Sequence, residues 1–150
     1  MLILAKSEEE LKFLYDTRTH PEIDKMLSGE PPKSYEQHLN YLNKVLGKTR
    51  WVYIAYNEEN NKIGYSQIYD VTETHLEVGF AIHPNFQGKG YGKSIVEETI
   101  KKAIETFPDK KIILYVKKDN PKAIHIYEKF GFEKKGTKAD TFYMEIKCVS

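Results

Sequence analysis

Apolar and polar positions follow two rhythms along the chain. Short runs dense in β-branched and aromatic residues, "LILA", "WVYIAY", "KIGYSQIY", "HLEVGFAI" and "KIILYV", read as strands. Between them apolar residues recur at helical spacing. Leu11, Leu14 and Tyr15 follow Ser7, which pairs with Glu10 as a capping box; Leu39, Leu42, Val45 and Leu46 follow Ser34, with Gln37 three residues on. Val96, Ile100, Ala103, Ile104 and Phe107 form a third stripe, and "NPKAIHIYEKF" a fourth helix with Pro121 at its start and Gly131 at its stop. Pro21 in "THPEIDKML" marks another helix start, "SGEPPK" a polar break and Gly47 a stop. The turn "NEENN" joins two strands as a hairpin, and "FEKKG" and "TFYMEIK" close the chain as strands. The order β-α-α-β-β-β-α-β-α-β-β predicts an α/β or α+β fold, a mixed sheet with about four helices, in one domain spanning 1–150.

Composition narrows the function. The chain has 150 residues, 40% hydrophobic and 30% charged, with a formal net charge of +1. Nothing in that balance points to a nucleic-acid or membrane-surface partner. Cys148 is the single cysteine, so no disulfide framework or cysteine-based zinc site forms within one chain, and no His/Asp/Glu spacing suggests a metal. "MLILAKSEEE" has too short an apolar run for a signal peptide and no run reaches membrane-span length, so a cytoplasmic protein is expected.

The stretch "QGKGYGKS", Gln87 to Ser94, ends like a nucleotide-binding P-loop. That pattern requires glycine where Gln87 stands, and "HPNF" separates the loop from the strand before it. The dinucleotide pattern fails at Lys93, where its third glycine belongs. The physical content outlives both misfits. Gly88, Gly90 and Gly92 permit close backbone approach, a helix starts near Tyr91, and Lys89 and Lys93 add positive charge, which together suit a pyrophosphate. The plain alternative is a glycine-rich connection from strand to helix.

Gln87, Gly90 and Gly92 also fit a Q/R-x-x-G-x-G/A pattern, and Asn120, Ala123, Tyr127, Gly131 and Phe132 an N-x-x-A-x-x-x-Y-x-x-x-G-F pattern. Both resemble the signatures of the GCN5-related N-acetyltransferases, in the right order, and the likeness extends over residues 1–147. The resemblance implies a mostly antiparallel, twisted sheet of six or seven strands, splayed at a bulge between the fourth and fifth. It implies acetyl-CoA as cofactor, its pyrophosphate surrounded by amides from Gln87 to Gly92 and flanked by Lys93 and Ser94. Phe80, Ala81 and Ile82 would pair with the pantetheine arm, with Asn120, Ala123 and Tyr127 nearby.

Acetyl transfer to an amine needs a neutral amine, an oxyanion donor and a proton for the leaving thiolate. The resemblance assigns Tyr127 as the acid; the alternative is a core tyrosine on a stripe with Ile124 and Phe130. The amide of Ile82 is the candidate oxyanion donor. Glu77, two residues before Gly79 on the strand facing the substrate side, is the candidate base, acting through water; otherwise it is a surface carboxylate. His83, before Pro84, is expected to pack or cap. Asn120 can bond the pantetheine or cap the helix that begins at Pro121.

The acceptor side is sought in the N-terminal third. Arg18, His20, Pro21 and Ile23, followed by Glu36, His38 and Leu39, resemble sugar-nucleotide N-acetyltransferases, including those of the pseudaminic acid pathway. Arg18, His20, Ile23, Glu77 and Tyr115 are the substrate-binding candidates; Tyr115 stands where ribosomal-protein acetyltransferases carry a carboxylate. Arg18, Lys25 or Lys33 could pair with a nucleotide diphosphate, and Trp51, Tyr35 or Tyr41 could stack on it. A nucleotide-linked amino sugar is the leading acceptor; peptide α-amines, polyamines and a catalytically silent CoA-binding module are the alternatives. The last strands could supply a homodimer edge.

Overall fold

A computed structural model describes residues 1–27 and 29–147; Ser28, in the polar break, and Cys148 lie outside them. The elements run β1 (Leu2–Leu4), α1 (Glu8–Arg18), α2 (Pro21–Asp24), α3 (Tyr35–Val45), β2 (Trp51–Tyr56), β3 (Lys62–Tyr69) and β4 (His75–Ile82). A 3₁₀ turn at Pro84–Phe86 leads to α4 (Tyr91–Thr106), β5 (Lys111–Lys117), α5 (Pro121–Lys129), β6 (Glu133–Lys138) and β7 (Thr141–Lys147). The described residues thus hold five α-helices. α2 starts at Pro21 as its start signal implies but is a single turn, too short to show periodicity and so outside the expected count of about four; His20 Nδ1 caps it by accepting from the Glu22 amide at 3.1 Å. No helix among the described residues is long and apolar enough to cross a membrane.

Local chemistry starts the helices as expected. The Ser7 hydroxyl accepts from the Glu10 amide at 3.1 Å, and Glu10 Oε1 accepts from the Ser7 amide at 3.0 Å. Burial alone would raise the Glu10 carboxyl. Hydrogen bonds from the Ser7 and Lys6 amides and from the Tyr56 and Ser7 hydroxyls outweigh it and hold the group at about 2, against an ordinary 4.5. A carboxylate depressed in the folded state stabilises it above pH 4.5, and that stability drains away as pH falls toward about 2. The Glu10→Gln variant should therefore lose about 1–3 kcal/mol at pH 7 and show a shallower acid decline. Urea melts at pH 7 and pH 3 measure both; parallel acid declines would refute the assignment.

The seven strands form one sheet in the order β1-β2-β3-β4-β5-β7-β6, antiparallel except for the β4–β5 pair. Helix α4 is the crossover that a parallel pair requires. One face carries Leu76, Val78, Ile112, Leu114 and Met144 against Ile95, Val96 and Ile100 of α4. The other carries Val52, Ile54, Tyr65 and Ala81 against Leu11 and Leu14 of α1, Ile23 and Leu42. Edge strand β6 is exposed throughout and lysine-rich.

The functionally decisive irregularity lies between β4 and β5. They pair only from His75↔Lys111 to Glu77↔Ile113; beyond that rung the strands part. The bulge that the resemblance implies is not what opens them. The β3–β4 register runs unbroken from Tyr69↔Glu77 to Gly64↔Ile82, and shifts occur instead in the β2–β3 and β6–β7 ladders. At the end of this run β3 and β4 come very close: a Cβ on Gly64 would lie 2.3 Å from the Ala81 carbonyl oxygen.

Candidate active site

Strand alternation decides which amides the gap frees. The His83 amide donates to the Ile63 carbonyl at 2.8 Å, so Ala81, Gly79 and Glu77 also turn their backbone groups toward β3. Phe80 and Ile82 turn theirs the other way, beyond the last β4–β5 rung. The Ile82 carbonyl accepts from Gln87 Nε2 at 2.9 Å, which ties the glycine loop to the strand end.

The loop has the geometry that an anion cradle needs. Gly88 and Gly90 have φ of 78° and 85°, with open space where a Cβ would stand. Gly90 is the N-cap of α4 and provides no side-chain cap, so the first-turn N–H groups of that 16-residue helix are left for a ligand. A Cβ on Gly92 would lie 3.5 Å from Ile126 Cδ1 and Ile82 Cδ1, in ordinary van der Waals contact. The uncapped helix end, the open glycines and the free amides of Phe80 and Ile82 fit a pyrophosphate continued by an amide-bearing arm.

A cavity of about 980 Å³ runs through the gap and joins both faces of the sheet. On the α4–α5 side it is lined by Gln87, Gly88, Gly90, Tyr91, Gly92, Lys93, Asn120, Ala123 and Tyr127. Lys89 and Ser94 stand off it: the Lys89 ammonium lies over the Phe86 ring, and the Ser94 hydroxyl donates to the Tyr91 carbonyl at 3.0 Å. Asn120 caps α5, its Oδ1 accepting from the Ala123 amide at 3.3 Å. The Tyr127 ring packs between Phe80 and Phe132, with centroids 5.7 and 6.0 Å away. Burial pushes its hydroxyl well above the ordinary tyrosine value, so it carries its proton at neutral pH.

The opposite half is lined by Arg18, Ile23, His38, Tyr41, Arg50, Gln67, Tyr69 and Tyr115. Arg18 pairs with Asp24 at 2.8 Å. Arg50 lies between the Tyr69 and Tyr41 rings, 4.5 and 5.5 Å from their centroids, and donates to Gln67 Oε1. His38 Nδ1 and Arg50 Nε are buried without a hydrogen-bond partner among the described residues. Burial, aided by the Arg50 and Arg18 charges, pulls the His38 imidazole down to about 4, so it is neutral in the working range. Tyr115 packs on Tyr143, with ring centroids 5.4 Å apart.

Two candidates sit behind this wall. His20 caps α2, and its ring lies 5.9 Å from that of His83. Glu77 shares a sheet face with Gly79 and Ala81 but does not line the cavity; the Tyr69 hydroxyl donates to its Oε2 and covers it. Burial raises the Glu77 carboxyl above the ordinary value, only partly offset by that hydrogen bond.

Comparison with known proteins decides the family. The Acetyltransferase (GNAT) family pattern matches residues 13–132. The chain belongs to this family. It is an N-acetyltransferase that draws its acetyl group from acetyl-CoA. Spermidine N(1)-acetyltransferase of Vibrio cholerae is 24% identical over 147 residues, 96% of this chain and 85% of that protein. Acetyltransferase PseH of Campylobacter jejuni strain 81-176 is 28% identical over 126 residues, 84% and 78% of the two chains. The solved structure of V. cholerae spermidine N-acetyltransferase with CoA and spermine superimposes with a TM-score of 0.85 at 24% identity, covering 98% of this chain and 95% of that one.

Arg50, Gln67, Tyr69 and Gly64 are positions that sequence reading passed over, and His38 entered it only through the acceptor-side resemblance. Alternation in "KIGYSQIY" was the available signal, because it puts Tyr65, Gln67 and Tyr69 on the face that Glu77, Gly79 and Ala81 share.

Proposed function

We propose that this acetyltransferase acetylates the primary amine of a nucleotide-linked amino sugar. The charge of the acceptor half carries the reading: it presents the Arg50 guanidinium, the Arg18 guanidinium paired with Asp24 and the neutral His38, against one lining carboxylate among the described residues, Glu30. That surface suits an anionic acceptor and is poorly matched to a polycation. Arg50 also holds tyrosine faces beside it, ready for a planar or sugar ring. The likeness to the PseH acetyltransferases supports the same choice. The second reading, a polyamine acceptor, is favoured by the relatives named spermidine N(1)-acetyltransferase.

Bound acetyl-CoA supplies a thioester-activated acetyl group. Amides of the Gln87–Gly92 loop and Lys93 hold its pyrophosphate, and Phe80 to Ile82 its arm. The Ile82 N–H is the oxyanion donor. Tyr127 Oη holds the proton that the thiolate needs on departure, and Glu77 is the base that receives the proton of the amine.

Release of free CoA thiol tests the acceptor. UDP- and dTDP-linked amino sugars should turn over well above their non-amino analogues and above spermidine. Arg50→Ala should raise KM for the nucleotide sugar roughly 10–100-fold, the value of a lost charge-assisted hydrogen bond. Efficient turnover of spermidine alone would discard the nucleotide-sugar reading and leave the acetyltransferase intact.

A further inference from the structure

We propose that Tyr69 is a catalytic residue: its hydroxyl takes a proton from the acceptor amine while its own proton passes to Glu77. The inference rests on Glu77 being the base and is independent of which amine is bound. Three observations carry it. Tyr69 lines the cavity and Glu77 does not. The Tyr69 hydroxyl donates to Glu77 Oε2, which leaves a lone pair on the phenol oxygen to accept from the cavity side. The side chain is fixed: it stands opposite Glu77 in the β3–β4 register, its ring lies under the Arg50 guanidinium at 4.5 Å, and Gly79 makes room for it. A Cβ at Gly79 would lie 3.3 Å from Tyr69 Cε1 and 3.8 Å from its hydroxyl.

The step balances without a further reactant. One N–H bond of the ammonium breaks and one O–H bond forms on Tyr69; the original Tyr69 O–H breaks and one forms on Glu77. The amine becomes neutral with its lone pair free, the carboxylate becomes a carboxylic acid, and Tyr69 is a neutral phenol before and after. Glu77 returns the proton to solvent between turnovers. Tyr69 never ionises, in keeping with a hydroxyl that burial and the adjacent Glu77 charge push far above its ordinary value. Tyr69 and Asp70 from β3 and the loop after it, Arg50 before β2 and His75 on β4 act on the Glu77 carboxyl, and Tyr143 on β7, on which Glu77 acts in turn, donates to Glu145. A carboxylate raised toward neutrality by burial matches the proton it must accept better than an exposed one.

Tyr69→Phe keeps the ring and removes the relay. With a UDP-linked amino sugar, or spermidine if only that turns over, it should lower kcat/KM by about 100-fold or more, the usual size of a lost general base. Glu77→Gln should cost as much, and the double variant no more than the worse single one, since both break one path. The wild-type rate should rise with pH through the Glu77 titration; in Tyr69→Phe that inflection should vanish. Carboxyl ¹³C NMR of the protein alone, assigned with Glu77→Gln, should show the Glu77 midpoint moving upward in Tyr69→Phe, because a donor to the carboxylate is gone. Tyr69→Phe activity near wild type, an unshifted Glu77 midpoint, or losses that multiply in the double variant would each overturn the relay. A harmless Glu77→Gln would overturn the base assignment as well.

Discussion

Tyr127→Phe is expected to lower kcat roughly 10²–10⁴-fold while leaving CoA affinity unchanged. The separation follows from where the hydroxyl and the ring act. The ring packs against Phe80 of β4 and Phe132, and phenylalanine preserves both contacts. In the binding mode proposed above, the pyrophosphate sits at the α4 N-terminus and the Gln87–Gly92 loop, whereas Tyr127 stands on α5. What disappears is a proton that burial keeps on the phenol oxygen. Steady-state kcat together with calorimetric titration of CoA would separate the two effects. A variant with normal kcat would mean that solvent or another group protonates the thiolate, and Tyr127 would revert to a packing residue.

Gly64→Ala should be the most damaging small substitution in the sheet. Its Cβ would lie 2.3 Å from the Ala81 carbonyl oxygen and 3.0 Å from the Ile82 Cα, both backbone atoms that no rotamer change can move. One strand must shift, at roughly 2–3 kcal/mol, the upper range for overpacking. For a chain of this length that lowers Tm by about 5–10 °C. The displaced segment carries the Ile82 amide, so CoA binding should weaken with stability. Gly136→Ala, where nothing lies within 4 Å of the added carbon, is the control and should stay within about 0.5 kcal/mol of wild type. Equal stability of the two variants would show that β3 and β4 have more freedom to part than their register implies.

The parts of this protein that could be read from sequence are those whose chemistry is local. Gly88 and Gly90 announce the cradle because few other residues hold a positive φ at an uncapped helix start. Ser7, Ser34 and Pro121 mark helix starts by their own hydrogen bonds or ring. The acceptor wall is different. Arg50, Gln67, Tyr69 and His38 come from three separate segments and meet only through the strand register and the packing of α3 on the sheet. Spacing places Glu77 on the β4 face of Gly79, but its cover by Tyr69 depends on which residue stands across the ladder. His20 illustrates the converse: the resemblance made it a substrate-binding candidate, and its ring accepts from a backbone amide. Gly64 sits within a strand run, where a glycine can signal either weak pairing or close approach.

The gap between β4 and β5 divides recognition into two kinds. On one side the partners offered are largely main-chain N–H groups, which survive a change of side chain wherever the backbone does not need the positive φ of Gly88 and Gly90. On the other they are side chains, each replaceable by a single codon change. Divergence can therefore fall unevenly: the two relatives named above, 24% and 28% identical to this chain, are both acetyltransferases, while the wall facing the amine is built of side chains open to change.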